Sequence, residues 1–333
     1  MKEEGLCAKR RSDPFGNIDG GTYYESQRGI ACTSAGAIGW GLSGVCSQAL
    51  FAEYGISSGW LTAVRMVFAG ILLLLMSMRQ KKMGTFAIFK NARDVLQLFL
   101  FAICGLLLCQ FTFMSAIRYS NSATATVLQS LNVVLMAVLV AVHDRINLTA
   151  RQMAAVALAV LGTFFIASKG HLSGLSFTGT GLGMGLLSAV GVVSYTLLAK
   201  PIICKHGSIC VTGWGMLVGG IAASFATQAW KIPTGLDLRA LLLLFVIVTI
   251  GTAVGFSAFL EGSKFIGPSR ATLLGCLEPA SSAVFSFLFL GTRFGLFEIL
   301  GFSSIMATVF LSTASSKPVS GKVKTASTGS SLT

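Results

Sequence analysis

Charge is scarce in this chain, and acidic charge scarcer: 11% of its 333 residues are charged, with 12 acidic side chains against 25 basic ones. Soluble domains carry about 25% charged residues, so an ordinary water-soluble domain is excluded. The first 27 residues lack the apolar core of a signal peptide and read as a flexible cytoplasmic tail. The last stretch, "SKPVSGKVKTASTGSSLT", reads as a second disordered tail. Cys-x-x-Cys spacing is missing, and the eight cysteines lie scattered, mostly in apolar runs, as reduced small apolar residues. Histidine is rare, and His143, His171 and His206 all fall between apolar runs. "GLSG" (Gly41–Gly44) and "GISSG" (Gly55–Gly59) offer serines in protease-like settings, but a serine nucleophile needs a base within hydrogen-bond reach. No histidine shares a span with them, and no His/Cys/Glu cluster has metal-ligand spacing. Catalysis is therefore not expected, nor is a metal or organic cofactor. No repeated charged ring or carbonyl filter suggests a channel.

What is abundant is apolar length. The chain is 53% hydrophobic with a mean hydropathy of +0.77, and alternating barrel strands are not seen. Ten apolar windows, each long enough to cross a hydrocarbon core of about 30 Å as a helix, fall near 29–51, 58–78, 95–117, 122–142, 150–168, 178–199, 209–230, 239–260, 268–290 and 295–315. The expected fold class is an all-α integral membrane protein.

The net charge of +13 resides in the tails and in alternate loops. With the N-terminus in the cytoplasm, nineteen of the Lys and Arg residues lie on that side. Five (Arg118, Lys169, Lys231, Arg239 and Arg293) lie opposite, and Arg65 sits inside a span. This positive-inside bias places both termini in the cytoplasm of a multi-pass plasma (inner) membrane protein. The partners it implies are the lipid bilayer and its anionic headgroups, not nucleic acid.

A shift of 146 residues lays 110–164 over a later stretch without a gap, pairing Phe113 with Phe259, Ala125 with Ala271, Leu128 with Leu274 and Phe164 with Phe310. The third to fifth windows then map onto the eighth to tenth. Five spans per half is an odd number, so the second half enters from the opposite side. The expected architecture is two inverted five-helix repeats, 29–168 and 178–315, flanked by tails at 1–28 and 316–333, with a central cavity at the midplane.

"LEPASSAVFSFLFLGTRFGLFEILGFSSIMATVFL" (Leu277–Leu311) resembles the closing segment of EamA-type carriers of the drug/metabolite transporter superfamily. Leu131–Ile166 resembles the same segment in the first half. "GAIGWGLSGV" (Gly36–Val45) resembles the family's opening Trp-Gly helix, and "LTAVRMVFAGILLLL" (Leu61–Leu75) its second helix with an arginine. The resemblance covers about 29–315. Thr292 departs from the glutamate usual in the family, and the first half reads His143-Asp144-Arg145 at that point. The resemblance implies a secondary carrier of small organic metabolites, often an amino-acid exporter.

Candidate site residues follow from polar groups inside apolar runs. A charged side chain at a helix centre costs about 2.5–3.5 kcal/mol on insertion scales, so it faces protein or water. Glu278 is such a residue, on a small, polar face with Gly275, Ser281 and Ser282. Pro279 follows it and cannot bond the Gly275 carbonyl, so Pro279 and Gly275 are expected to form a kink that frees a backbone acceptor. Glu278 fits either a substrate or proton site, making proton coupling feasible, or a helix-to-helix bond.

The 146-residue shift sets Asn132 opposite Glu278, on a face with Gln129. These amides fit a pseudo-symmetric cavity or ordinary interhelical bonding. Trp40 shares a face with Ser43, and Tyr195 one with Ser188 and Gly191, both too deep for an interfacial belt. They fit cavity lining or core packing. Gln110, Thr252 and Phe256 complete the candidates. Arg65 fits outward snorkelling or pairing with an acid.

The expected substrate-binding set is thus Glu278, Asn132, Gln129, Trp40, Ser43, Tyr195, Gln110 and Thr252. The expected function is export of small amphipathic metabolites such as amino acids by alternating access, from a monomer. Multidrug or cationic-compound efflux is the alternative, and a non-transporting receptor or scaffold a distant one.

Overall fold

The computed structural model describes residues 20–79, 84–143, 150–168, 179–266, 271 and 274–314. Most of the N-terminal tail, the C-terminal tail, the Asp144-Arg145 loop and His171 lie outside the described residues.

The described residues are helical, without strands. In chain order they form α1 (Gly20–Tyr54), α2 (Ser58–Arg79), α3 (Ala92–Tyr119), α4 (Ser122–His143), α5 (Ala150–Ser168), α6 (Gly179–His206), α7 (Ser208–Thr227), α8 (238–266), α9 (Leu277–Leu290) and α10 (Leu296–Ala314). Seven of these, α1–α4 and α6–α8, are long and apolar enough to cross a membrane, and the three others carry apolar stretches of 14, 14 and 16 residues. Apolar side chains also cover the outside: Phe68, Phe225, Phe245 and Phe287 are each more than half exposed. A surface of that kind is stable against lipid, not against water. The chain is a multi-pass membrane protein.

α1 starts at Gly20, inside the stretch expected to be tail. A helix satisfies its own backbone and runs past the hydrocarbon edge without penalty, and the Arg28 guanidinium lies 6.0 Å from the centre of the Phe265 ring. α6 likewise runs through Pro201 to His206.

The helices pair across the middle of the sequence. α2 packs on α7 and α5 on α10; α1 lies against α8 and α9, while α6 lies against α3 and α4. Glycine makes two of these approaches possible. A Cβ at Gly70 would stand 2.7 Å from the Leu217 nitrogen, and one at Gly220 2.7 Å from the Val67 nitrogen. Gly162 and Gly301 do the same for α5 and α10, each within 2.9 Å of the other's carbonyl oxygen. Such small-residue contacts let helices associate where lipid removes the hydrophobic drive.

Polar ties close both ends. On the expected cytoplasmic side, buried Asp94 of α3 takes Lys205 Nζ at 2.8 Å and His206 Nε2 at 3.1 Å from the end of α6. Trp214 Nε1 donates to the Thr85 carbonyl at 2.8 Å. At the other end, Arg239 Nη2 meets Glu53 Oε1 at 2.9 Å, and the Tyr54 hydroxyl donates to Asp237 Oδ1 at 2.6 Å. Asp237 also caps α8 by accepting from the Ala240 amide at 2.9 Å.

The Tyr54 bond, with the Ala240 amide, holds the Asp237 carboxyl below its usual range. A lowered folded-state value means stability that is present above the unfolded value of about 3.9 and lost as pH falls through the folded one. The melting-temperature gap between wild type and Asp237→Ala is therefore expected to be widest near neutral pH and to narrow on acidification below about 4.

Candidate functional site

Two helices are interrupted at matching points. α4 consists of Ser122–Gln129 and Asn132–His143, with a turn at Ser130 and Leu131. α9 starts at Leu277 after a turn at Cys276. Ser130 and Cys276 stand 146 residues apart, so the shift that pairs the two halves in sequence also pairs their breaks.

The break corrects the expected kink. Pro279 is the third residue of α9 and lies in its first turn, where the proline's missing N–H has no intrahelical partner to lose. Pro279 therefore opens a helix instead of bending one. Glu278 sits beside it in that first turn, at the positive end of the helix dipole, which favours a carboxylate. A Cβ on Gly275, just before the turn, would meet only the Phe259 ring, at 3.9 Å.

Neighbours hold the start of α9 tightly. A Cβ at Gly41 would come within 2.7 Å of the Glu278 carbonyl oxygen and 2.9 Å of the Ser282 nitrogen, so the α1 and α9 backbones nearly touch. The Ser122 and Ser282 hydroxyls lie 2.7 Å apart, and the Ser122 amide donates to Gln48 Oε1 at 2.8 Å. The acid thus projects, half-buried, from a fixed junction of α1, α4 and α9.

Elsewhere in the fold α3 gathers groups from other helices. Arg65 Nη1 of α2 donates to Met114 Sδ of α3 at 3.3 Å, and a Cβ at Gly191 of α6 would stand 2.7 Å from the Cys109 Cα of α3. Gln129 Nε2 of α4 reaches Cys109 Sγ at 3.4 Å. Tyr195 packs on Gly105, where a Cβ would stand 2.8 Å from it. Trp40 of α1 meets the rings of Phe256 and Phe259 at 4.9 and 4.7 Å, forming an aromatic wall that reaches Phe259 beside Gly275. Trp40 Nε1 is buried without a hydrogen-bond partner.

Of the eight expected site residues, Trp40 connects to the start of α9, where Glu278 sits, through the Phe259 ring beside Gly275, while Gln129 and Tyr195 both pack on α3, at Cys109 and Gly105. Asn132 is spent at the break, where Nδ2 donates to the Gln129 carbonyl at 2.7 Å. It stabilises the interrupted backbone. Ser43 faces Gly251 in the α1–α8 contact, where a Cβ on that glycine would collide with it. Thr252 is fully buried and bonds the Ile247 carbonyl at 2.8 Å. Gln110 is buried on α3, one residue past Cys109.

Thr252 and Gly251 lie in a wide turn of α8, Thr249–Val254, that widens the helix to i→i+5 bonding; α3 has its own at Phe101–Leu107. The 146-residue shift carries 101–107 onto 247–253, so these turns too are matched. Wide turns of this kind concentrate at functional sites.

Sequence leaves Arg65 between outward snorkelling and pairing with an acid. Snorkelling is corrected by its burial, with 4% of its surface exposed. A lone cation inside a span was the available signal. Cys109 gave none, reading as one more small apolar residue. Pro279 also lines an apolar crevice of about 490 Å³, together with Val127, Ala283, Phe302, Met306 and Phe310.

The EamA-like transporter family model matches the chain twice, over residues 27–168 and 179–314. The uncharacterized inner membrane transporter YicL of Salmonella typhimurium is 35% identical over 289 residues, spanning 86% of this chain and 95% of its own. The uncharacterized transporter YyaM of Bacillus subtilis is 21% identical over 225 residues, 64% of this chain and 70% of its own. A solved crystal structure superposes with a TM-score of 0.55 at 16% identity, over 88% of this chain and 98% of that one, a likeness of fold. The chain belongs to the EamA-like transporter family and is a membrane transporter.

Proposed function

We propose that the chain is a secondary carrier of the plasma membrane, with both termini cytoplasmic, that exports small amphipathic metabolites such as amino acids by alternating access. Ten spanning helices form two inverted five-helix repeats. Two family matches in tandem support this, as does helix pairing that maps onto itself when each of the first five helices is exchanged with its counterpart five helices later. Under that exchange the α2–α7 and α5–α10 pairs return to themselves, and α1 with α8 and α9 becomes α6 with α3 and α4.

The observation that carries the reading is the pair of matched breaks, one of which presents Glu278 at the junction of α1, α4 and α9. Interrupted helices near the midplane, with helix ends and free backbone turned to a cavity, are how carriers build substrate sites. Trp40, Phe256 and Phe259 supply a surface for an apolar part, Glu278 a counter-charge for an ammonium or a proton acceptor, and Gln129 and Tyr195 polar edges.

Efflux of cationic drugs also calls for a buried acid. Binding of labelled amino acids to the purified protein tests the choice. Saturable binding of an apolar amino acid is expected, with Trp40→Ala weakening it about tenfold through lost stacking and apolar contact. Binding of cationic dyes with no binding of any amino acid would favour drug efflux.

A further inference from the structure

We propose that the crevice between α9 and α10 is a lipid site: it holds an acyl chain of a membrane phospholipid at mid-depth in the bilayer, against both interrupted helices. The proposal rests on the protein's place in a membrane and not on the nature of its cargo.

The crevice exists because consecutive helices stand apart. α9 and α10 are joined by the short loop 291–295. Yet α9 packs on α1 and α4, α10 packs on α5 and α4, and neither packs along the other. The gap left between them holds about 490 Å³. Pro279, Ala280 and Ala283 line it from α9, three and four residues apart on one stripe; Phe302, Met306 and Phe310 line it from α10 at intervals of four. Val127 of α4, 2% exposed, closes it from beneath. The Phe302 ring is held edge-on by Phe294 at 5.4 Å, whereas Phe310 is exposed at the open side.

Depth and chemistry name the occupant. At about 1.5 Å per residue from the 291–295 loop, Ala283 to Pro279 lie about 12–18 Å along α9 and Phe302 to Phe310 about 10–22 Å along α10. A hydrocarbon core is about 30 Å thick, so the crevice lies in its middle, where the surrounding medium is acyl chain. Its open side continues into a lipid-facing surface over Val284, Phe287 and Leu288, each more than half exposed. Ser303 brings the one hydroxyl and no charged group lines the space, so neither a headgroup nor a zwitterion is matched there. A void of this size forfeits dispersion contacts along all its walls, and an unbranched hydrocarbon lying between the two stripes restores them.

The position joins the lipid to the breaks. Val127 lies three residues before the turn at Ser130, and Pro279 three residues after the turn at Cys276. A chain seated here touches both interrupted helices at once and braces them from the bilayer side.

A phosphatidylethanolamine carrying a diazirine midway along one acyl chain tests this in nanodiscs of the full chain, with adducts mapped by peptide after photolysis. Wild type is expected to carry adducts on 279–283 and 302–310 about threefold denser, or more, than around exposed Phe225 and Phe245, because a seated chain meets three walls where a surface chain meets one. Ala283→Phe fills the crevice and is expected to bring them down to the surface level. Val284→Phe, one residue away and outside the lining, is expected to leave them unchanged.

Adducts spread evenly over the lipid-facing helices would overturn the site, as would crevice labelling that Ala283→Phe leaves in place. Labelling by a photoreactive apolar amino acid and not by the lipid would also overturn it, since the crevice would then belong to the cargo. Should Ala283→Phe fail to fold, Ala307→Phe fills the crevice from the α10 wall and carries the same expectation.

Discussion

Glu278→Gln is expected to lower solute exchange at least tenfold and to remove its response to a pH gradient, while the protein still folds. The amide keeps the shape of the acid and leaves the local backbone alone: the Glu278 carbonyl still accepts from Ser281 Oγ at 3.0 Å, and Gly41 still packs beneath it. What disappears is the negative charge and the protonatable group. A hydrogen bond to a charged partner contributes about 1.5–3 kcal/mol, and about 1.4 kcal/mol is a factor of ten in affinity, so one lost contact accounts for the expected drop. Flux is read in proteoliposomes with and without an imposed gradient, beside a thermal melt of each protein. Undiminished flux in a normally folded variant would make the acid an architectural residue.

Gly70→Leu carries the largest expected effect on stability. α2 and α7 approach at Gly70 and Gly220, and the obstacle to a side chain is backbone: the Leu217 nitrogen and Cα lie 2.7 and 2.9 Å from the position of a Gly70 Cβ. A flexible side chain would turn aside, but a helix backbone must move as a whole. Overpacking costs about 1–3 kcal/mol even where side chains yield, so about 3 kcal/mol or more is expected here, seen as aggregation on extraction or a large fall in melting temperature. Gly183→Ala is the matched control, because a Cβ there meets nothing within 4 Å. Equal melting of the two variants would mean that α2 and α7 do not approach as described.

Much of the fold was legible because membrane spans are written in composition. The windows at 58–78 and 122–142 end within one residue of α2 and α4. The shift that pairs Leu128 with Leu274 also pairs the two breaks. A turn inside an apolar run leaves no trace in hydropathy: Ser130-Leu131 and Cys276 look like the helix around them.

The Glu-Pro pair predicts a kink from sequence, which does not say whether a proline lies within a helix or in its first turn. Sequence leaves Asn132 open between a cavity group and an interhelical bond, because a side-chain amide bonds substrate, a neighbouring helix or broken backbone equally well. Arg65 was ambiguous for another reason. Its position, seven residues into α2, lies near enough to the helix end for snorkelling, and only the packing of α3 against it decides the direction. Cys109 became visible only through the neighbours it touches.

Counterflow is the direct measurement of alternating access at one central site. Vesicles are loaded with an unlabelled apolar amino acid, diluted, and given a trace of the labelled form outside. The label is expected to rise transiently above its equilibrium level inside wild-type vesicles, because exchange through a single site couples outward and inward movement, and to show no such peak with Glu278→Gln. A monotonic approach to equilibrium in wild type would indicate a pore, and no entry of label for any amphipathic solute would contradict the carrier site altogether.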